Sequence, residues 1–241
     1  MISQSLNKIL FIDIETVGIS STFENFKSDY PELYNQYIKY YDWFLKRFPE
    51  DDTAVSNKHT EDMKFKRIFE SRAALVPEFA KIICVSAGLV DKDGELKKMS
   101  YFNSDEKVLL EEVNKLLGRV NGTGFSICGH NVKNFDIPML AKRMMINGIK
   151  PSSILPSYDT KPWEVRAIDT KEIWQYGQFG AISSLELMCI SLGIESPKNE
   201  EISGDKIHHL FWNENKYDLI KEYCEKDVDT VFEIIKKIKE L

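Results

Sequence analysis

At 241 residues, with 43% hydrophobic and 29% charged content, the chain is long enough for one sizeable core and has the composition of a soluble globular protein. A formal net charge of −6 excludes a uniformly basic nucleic-acid binder. No run of about 18 apolar residues occurs, and no basic segment leads into an apolar one, so neither a membrane span nor a secretory leader is expected and the expected compartment is the cytoplasm. Cys84, Cys128, Cys189 and Cys224 are far apart in apolar contexts, the pattern of buried reduced thiols rather than of disulfides or a zinc site. The charge is uneven: Lys133 to Lys171 holds seven basic residues against four acids, a locally basic stretch in an acidic chain. One domain is expected.

In chain order, Lys8 to Thr16 reads as a strand buried on both faces. Ile9, Phe11, Asp13 and Glu15 share one face, and Leu10, Ile12 and Ile14 the other. Two acids about 7 Å apart on one face of a buried strand repel and are desolvated unless a cation sits with them, and a divalent metal is the natural candidate. The competing reading is a strand end whose acids point into solvent. Val17 to Ala80 is a long excursion before the next strong strand signal. Within it, Pro31 to Phe48 has helical spacing, with Ser28 or Asp29 as cap. Its many rings fit core packing better than base stacking. Asp51 to Lys58 reads as a loop, and Thr60 to Arg72 as a short helix.

Lys81 to Val90 and Glu95 to Asn103 form a hairpin around the turn Asp91-Lys92-Asp93-Gly94. Ser104 is expected to cap a helix running to about Leu117, with Val108, Leu109, Val113, Leu116 and Leu117 on its inner face. Phe125 to Gly129 is a short fourth strand. These elements predict a mixed sheet with helices packed on it. The stretch His130 to Leu140 then opens a helix reaching about Ile146, which puts Asp136 at a helix N-terminus, either as a simple cap or as a further site carboxylate. Val165 to Ile168 is a candidate strand, and Asp169-Thr170-Lys171-Glu172 reads as a structural capping box. Ser183-Ser184-Leu185-Glu186 is a second one, opening a helix that ends at Gly193.

The last helix, about Lys216 to Lys239, carries an apolar stripe of Ile220, Tyr223, Cys224, Val228, Val231, Ile234, Ile235 and Ile238. Asp227 interrupts it one turn after Tyr223. A buried acid needs a partner, and no lysine or arginine shares that stripe.

Asp13-Ile14-Glu15-Thr16 on a first strand, Asn131 through Phe135-Asp136 opening a helix, and Tyr223-x-x-x-Asp227 on a late helix resemble, in order, the three exonuclease motifs of the DEDD superfamily. The sequence resembles 3′-to-5′ exonucleases of the tyrosine subtype, and among them the exonuclease domain of family-B DNA polymerases and its stand-alone bacterial relatives. Glu222 stands where the histidine subtype would carry its histidine. The similarity runs from Ala74 onward and includes Ser203-Gly204-Asp205, whereas about Thr22 to Arg72 lies outside it and no polymerase domain is expected in this chain.

The resemblance implies an α/β, ribonuclease-H-like fold: a mixed central sheet flanked by helices, with a helical insertion at about 22–72 after the first strand. It implies hydrolysis of nucleotides from the 3′ end of single-stranded nucleic acid, DNA in preference to RNA, with two divalent ions, Mg²⁺ or Mn²⁺, about 3.5 to 4 Å apart. Asp13, Glu15 and Asp227 would hold the ion that activates the attacking water. Asp13, with Asp136 acting through water, would hold the ion at the leaving 3′ oxygen. Tyr223 would orient the water, since a phenol of pKa near 10 is a poor base at neutral pH. Asn131 and the Thr16 backbone would contact the terminal nucleotide, and Phe135 could stack on a base. The alternative from another class is a non-catalytic nucleic-acid-binding or scaffold domain of the same fold. A metal-dependent phosphatase lacks its phosphate-cradling glycine loop here.

Overall fold

The apolar run Ile9–Gly18 forms β1, a strand of 10 residues buried along its length except at half-buried Asp13 and with no polar face. A strand covered on both sides does not alternate polar and apolar residues, which explains its near-continuous hydrophobicity. The computed structural model describes residues 2–48, 61–178, 180–181, 183–194 and 202–240. With β2 at Ala80–Val90, β3 at Leu96–Phe102, β4 at Ser126–Gly129 and β5 at Ala167–Asp169, the sheet order is β3-β2-β1-β4-β5. The hairpin β2–β3 is antiparallel, and β4 runs parallel to both β1 and β5. This is the mixed α/β, ribonuclease-H-like sheet that the sequence implied.

The chain divides into two compact units, one of Met1–Glu15, Ile82–Gly204 and Lys216–Leu241, the other of Thr16–Lys81 and Asp205–Asn215. In the first, Gly94 at φ +88 closes the hairpin turn while the Asp91 carboxylate accepts from the N–H groups of Asp93 and Glu95. Helix α5, Glu106–Val120, follows. Its cap is Asp105, not Ser104, because the Asp105 carboxylate reaches the N–H groups of Lys107 and Val108. Val108 consequently points outward at 41% exposure, contrary to its expected inward position, while Leu109, Leu110, Val113, Leu116 and Leu117 are buried. Helix α6 is Asp136–Ile146 and α7 Thr170–Gln175; α8, Leu185–Leu192, is capped by Ser184 and ended by Gly193. The long helix α10, Tyr217–Lys239, lies on the sheet through Val228, Val231, Phe232 and Ile235, with Phe232 meeting Phe11 edge to face. A side chain at Gly88 would come within 3.0 Å of Val228, so the glycine lets the helix approach the hairpin.

The second unit contains α1, Phe23–Asp29, which the sequence reading missed, then α2, Pro31–Lys39, α3, Tyr41–Arg47, α4, Glu61–Arg72, and α9, Ile207–Trp212. The single helix expected over Pro31 to Phe48 is broken at Tyr40 (φ −97, ψ 13), and Tyr30 rather than Ser28 or Asp29 precedes it. Residues 37 and 44 of a straight helix would stand about 10 Å apart along its axis. The bend brings the rings of Tyr37 and Phe44 to 5.1 Å, and both are fully buried. Phe26 stacks on Phe69 at 4.4 Å in the same cluster, so these rings form a core. The loop expected at Asp51 to Lys58 lies outside the described residues.

A buried ion pair ties three elements of the first unit together. Glu106 Oε1 accepts from the Ile82 N–H at 2.7 Å and Arg143 Nε at 2.9 Å, while Oε2 accepts from Arg143 Nη2 and from Asn147 Nδ2 at 3.0 Å. Arg143→Met keeps the bulk of the side chain but strands the Glu106 carboxylate, and should lower the unfolding free energy by about 3–5 kcal/mol. Urea unfolding of the two proteins measures it; a loss under about 1 kcal/mol would show that amide donors alone hold Glu106.

Candidate active site

Asp13 and Glu15 occupy alternate positions in the middle of β1, just past the residues that pair with β4, and therefore share a face. A carboxylate oxygen of each and the Sγ of Cys224, from α10, all lie within 4.8 Å of one another. The Cys224 thiol is buried and donates to the Asp13 backbone carbonyl at 3.4 Å. Asp136 opens α6 with 3% of its surface exposed, and Asp227 sits half-buried on α10, one turn after Tyr223. Elements distant in sequence, β1, α6 and α10, thus carry four carboxylates and a phenol that act on one another electrostatically.

The electrostatics show how closely these groups face each other. Burial raises the Asp13 carboxyl well above its usual range, and the charges of Asp227, Glu15 and Asp136 raise it further. Glu15 is raised by burial, then by Asp227, Cys84 and Asp136. Asp136 is pushed up to about 7, chiefly by burial, although its own N–H and that of Ile14 favour the carboxylate. The Tyr223 phenol is raised by burial and then by Asp227, Glu15 and Asp13, which keeps it protonated at any working pH.

Among the described residues, Asp13 Oδ2 is a buried side-chain oxygen without any hydrogen-bond partner. A buried carboxylate oxygen amid like charges is a place where a cation would fit. The oxygen-rich donor set fits a hard divalent ion such as Mg²⁺ or Mn²⁺. Asp13, Glu15, Asp136 and Asp227 are the residues able to hold it.

The remaining expected residues flank these acids in sequence or precede them on the turn after β4. Thr16 is buried in the second unit, where its hydroxyl donates to the Ala74 carbonyl at 2.8 Å. Phe135 is half-buried and precedes α6. Asn131 sits after β4 with φ +58, a left-handed conformation that asparagine tolerates better than most residues. Two features of the site escaped the sequence reading. Cys224 read only as part of the apolar stripe, and its adjacency to Tyr223 was the available signal. Asp169 read as a helix cap, which it is, accepting from the Lys171 N–H at 3.0 Å. Its carboxylate also accepts from the N–H groups of Asn131 and Lys133, so it fixes the turn before Asp136.

The sheet and its buried acids define a ribonuclease-H-like protein with a candidate metal-dependent centre. Residues 74–239 match the family described as a predicted 3′-5′ exonuclease related to the exonuclease domain of PolB, and the chain belongs to that family. Its fold is shared with the family B DNA polymerase of the hyperthermophilic archaeon Pyrobaculum calidifontis, at a TM-score of 0.57 and 13% identity over 96% of this chain. The chain spans only 24% of that polymerase. Escherichia coli exonuclease I, in complex with a 5cy-dA13 oligonucleotide, matches with a TM-score of 0.44 and 12% identity, over 96% of this chain and 40% of that one. No curated protein sequence matches the chain.

Raised carboxyl pKa values carry a stability consequence of definite sign. The folded state is favoured most below the unfolded carboxylate range near 4, and that advantage is lost as pH rises through the folded values, about 7 for Asp136. In chelator the parent should therefore lose thermal stability as pH is raised through neutrality. Asp13→Asn, which removes one of the repelling charges, should then melt higher than the parent. Mn²⁺ at 100 times its dissociation constant should stabilise the parent by about 2.7 kcal/mol and the variant much less, reversing the order. If the variant melts lower in chelator and Mn²⁺ moves neither curve, the acids are structural.

Proposed function

We propose that this chain removes nucleotides from the 3′ end of single-stranded nucleic acid, DNA in preference to RNA, by metal-dependent phosphodiester hydrolysis, and that the whole chain acts as one exonuclease domain. The observation that carries the reading is the mutually interacting quartet of Asp13, Glu15, Asp136 and Asp227, with Asp13 Oδ2 lacking a hydrogen-bond partner. Membership of a family related to a DNA polymerase's exonuclease domain supports the reaction class and favours DNA.

In this reading Asp13, Glu15 and Asp227 would hold one ion, and Asp13, with Asp136 acting through water, would hold the second. When bound, the pair supplies Lewis-acid activation of the attacking water and neutralises charge on the leaving 3′ oxygen. Tyr223 contributes a hydroxyl whose pKa burial and the neighbouring acids hold above the ordinary phenol value. It hydrogen-bonds and aims the water rather than deprotonating it. Asn131 and Phe135, on the turn held by Asp169, contact the terminal nucleotide.

The test is incubation with 5′-labelled single-stranded DNA and RNA in Mg²⁺ or Mn²⁺. A ladder descending from the 3′ end is expected, faster on DNA, and abolished by chelator or by Asp13→Ala, Glu15→Ala, Asp136→Ala or Asp227→Ala. Intact label with retained binding would instead identify a non-catalytic nucleic-acid-binding domain. Tyr223→Phe keeps the ring and removes the hydroxyl, so turnover should fall by about 10²-fold while the melting temperature stays close to that of the parent. Turnover equal to the parent's would make Tyr223 a packing residue.

A further inference from the structure

We infer that Lys171 is a positioning residue that sets the polarity of the Asn131 side chain, so that Asn131 meets the terminal nucleotide as a hydrogen-bond donor. The inference rests on the 3′-end reading above and deepens it. Its basis is the contact between the end of β5 and the turn that follows β4. Gly129 of β4 pairs with Asp169 of β5, which brings the start of α7 beside that turn. Asp169 is only 2% exposed, and its Oδ1 accepts from the N–H groups of Asn131 at 2.9 Å and Lys171 at 3.0 Å, its Oδ2 from that of Lys133 at 3.1 Å. The Asn131 backbone, at positive φ, is thereby locked from the neighbouring strand.

The side chain is fixed separately. Lys171 Nζ lies 3.2 Å from Asn131 Oδ1, and Asn134 Nδ2 lies 3.5 Å from the same oxygen. The two ends of an amide have nearly the same shape, but an ammonium group can only donate. The atom facing Lys171 must therefore be the oxygen, and the two N–H donors of Nδ2 must face away. Among the described residues, Nδ2 donates to none. A nucleotide's 3′ end offers mainly acceptors, the phosphate and sugar oxygens, so this orientation is the complementary one. Without Lys171 the amide rotates and presents its oxygen to those oxygens part of the time.

The experiment uses the full-length protein labelled with ¹⁵N, the side-chain amide signals of Asn131 being assigned by their loss in Asn131→Ala. In Lys171→Met these signals should move toward the free-amide position, and in Lys171→Arg, which keeps a donor, they should stay. For a dT oligonucleotide, KM should rise about tenfold in Lys171→Met, the weight of one hydrogen bond, with kcat changing less than about twofold. Lys171→Met added to Asn131→Ala should raise KM no further. A lysine bound directly to phosphate would instead lower the salt slope of binding by about 0.7, whereas a lysine acting through Asn131 leaves it unchanged. Unmoved amide signals in Lys171→Met, a KM penalty that persists in the Asn131→Ala background, or a reduced salt slope would each overturn the inference. If the parent neither binds nor cleaves the oligonucleotide while the amide signals still move, the nuclease reading fails and the positioning of Asn131 by Lys171 stands.

Discussion

Repulsion among carboxylates that the fold has removed from water is the constraint around which the first unit is arranged. Asp13 and Glu15 stand on the central strand, and both are raised in pKa by burial and by the other acids. Such a cluster opposes folding unless its charge is neutralised by protons or by metal. The buried Arg143 does not serve the cluster, because Glu106 engages it in a separate network. A cation from outside would offset the charge that protons do not.

The sheet topology explains why the acids meet at this spot. β1, β4 and β5 are parallel neighbours, so their C-terminal ends lie side by side, where crevices in open α/β sheets form. Asp13 and Glu15 stand on β1 just past the residues that pair with β4, the Asn131 turn and Asp136 follow β4, and Asp169 ends β5. Gly129 is required at the junction, because a side chain there would come within 2.8 Å of the Ile12 carbonyl. Helix α10 then crosses to bring Tyr223, Cys224 and Asp227, its approach permitted by a second glycine, Gly88. Residues 211 positions apart in sequence, Asp13 and Cys224, are thereby brought into contact.

The readable part of this arrangement was the part governed by periodicity. β1 and α10 are long and strongly patterned, so the placement of acids on their buried faces followed from spacing alone. What periodicity does not encode was missed. The break at Tyr40 involves no proline or glycine and exists because Tyr37 and Phe44 both enter one cluster. The segment Asp205–Asn215 joins the second unit through tertiary contacts, the Gly18 N–H donating to His208 Nδ1 and Trp212 Nε1 donating to the Gly18 carbonyl, and no local signal announces them. Asp169 looked like a helix cap because it is one; its further hydrogen bonds to Asn131 and Lys133 depend on β5 pairing with β4, which is invisible in a single sequence.

The choice of tyrosine rather than histidine beside such a cluster has a physical rationale under the nuclease reading. An imidazole facing Asp13, Glu15 and Asp227 would have its pKa raised by their charge, would hold a proton at neutral pH, and would compete with metal for the same carboxylates. Tyr223 responds to the same field in the opposite functional sense: the acids push its pKa up and so make it more firmly neutral. Its hydroxyl can orient water at every pH at which the carboxylates are ionised and never supplies a competing positive charge. The helix carries Glu222 where a histidine would otherwise stand, and that side chain is exposed and paired with Lys226 at 2.7 Å. Under that reading, metal occupancy and water orientation would fall to different groups, and the pH dependence of metal binding would follow the carboxylates rather than Tyr223.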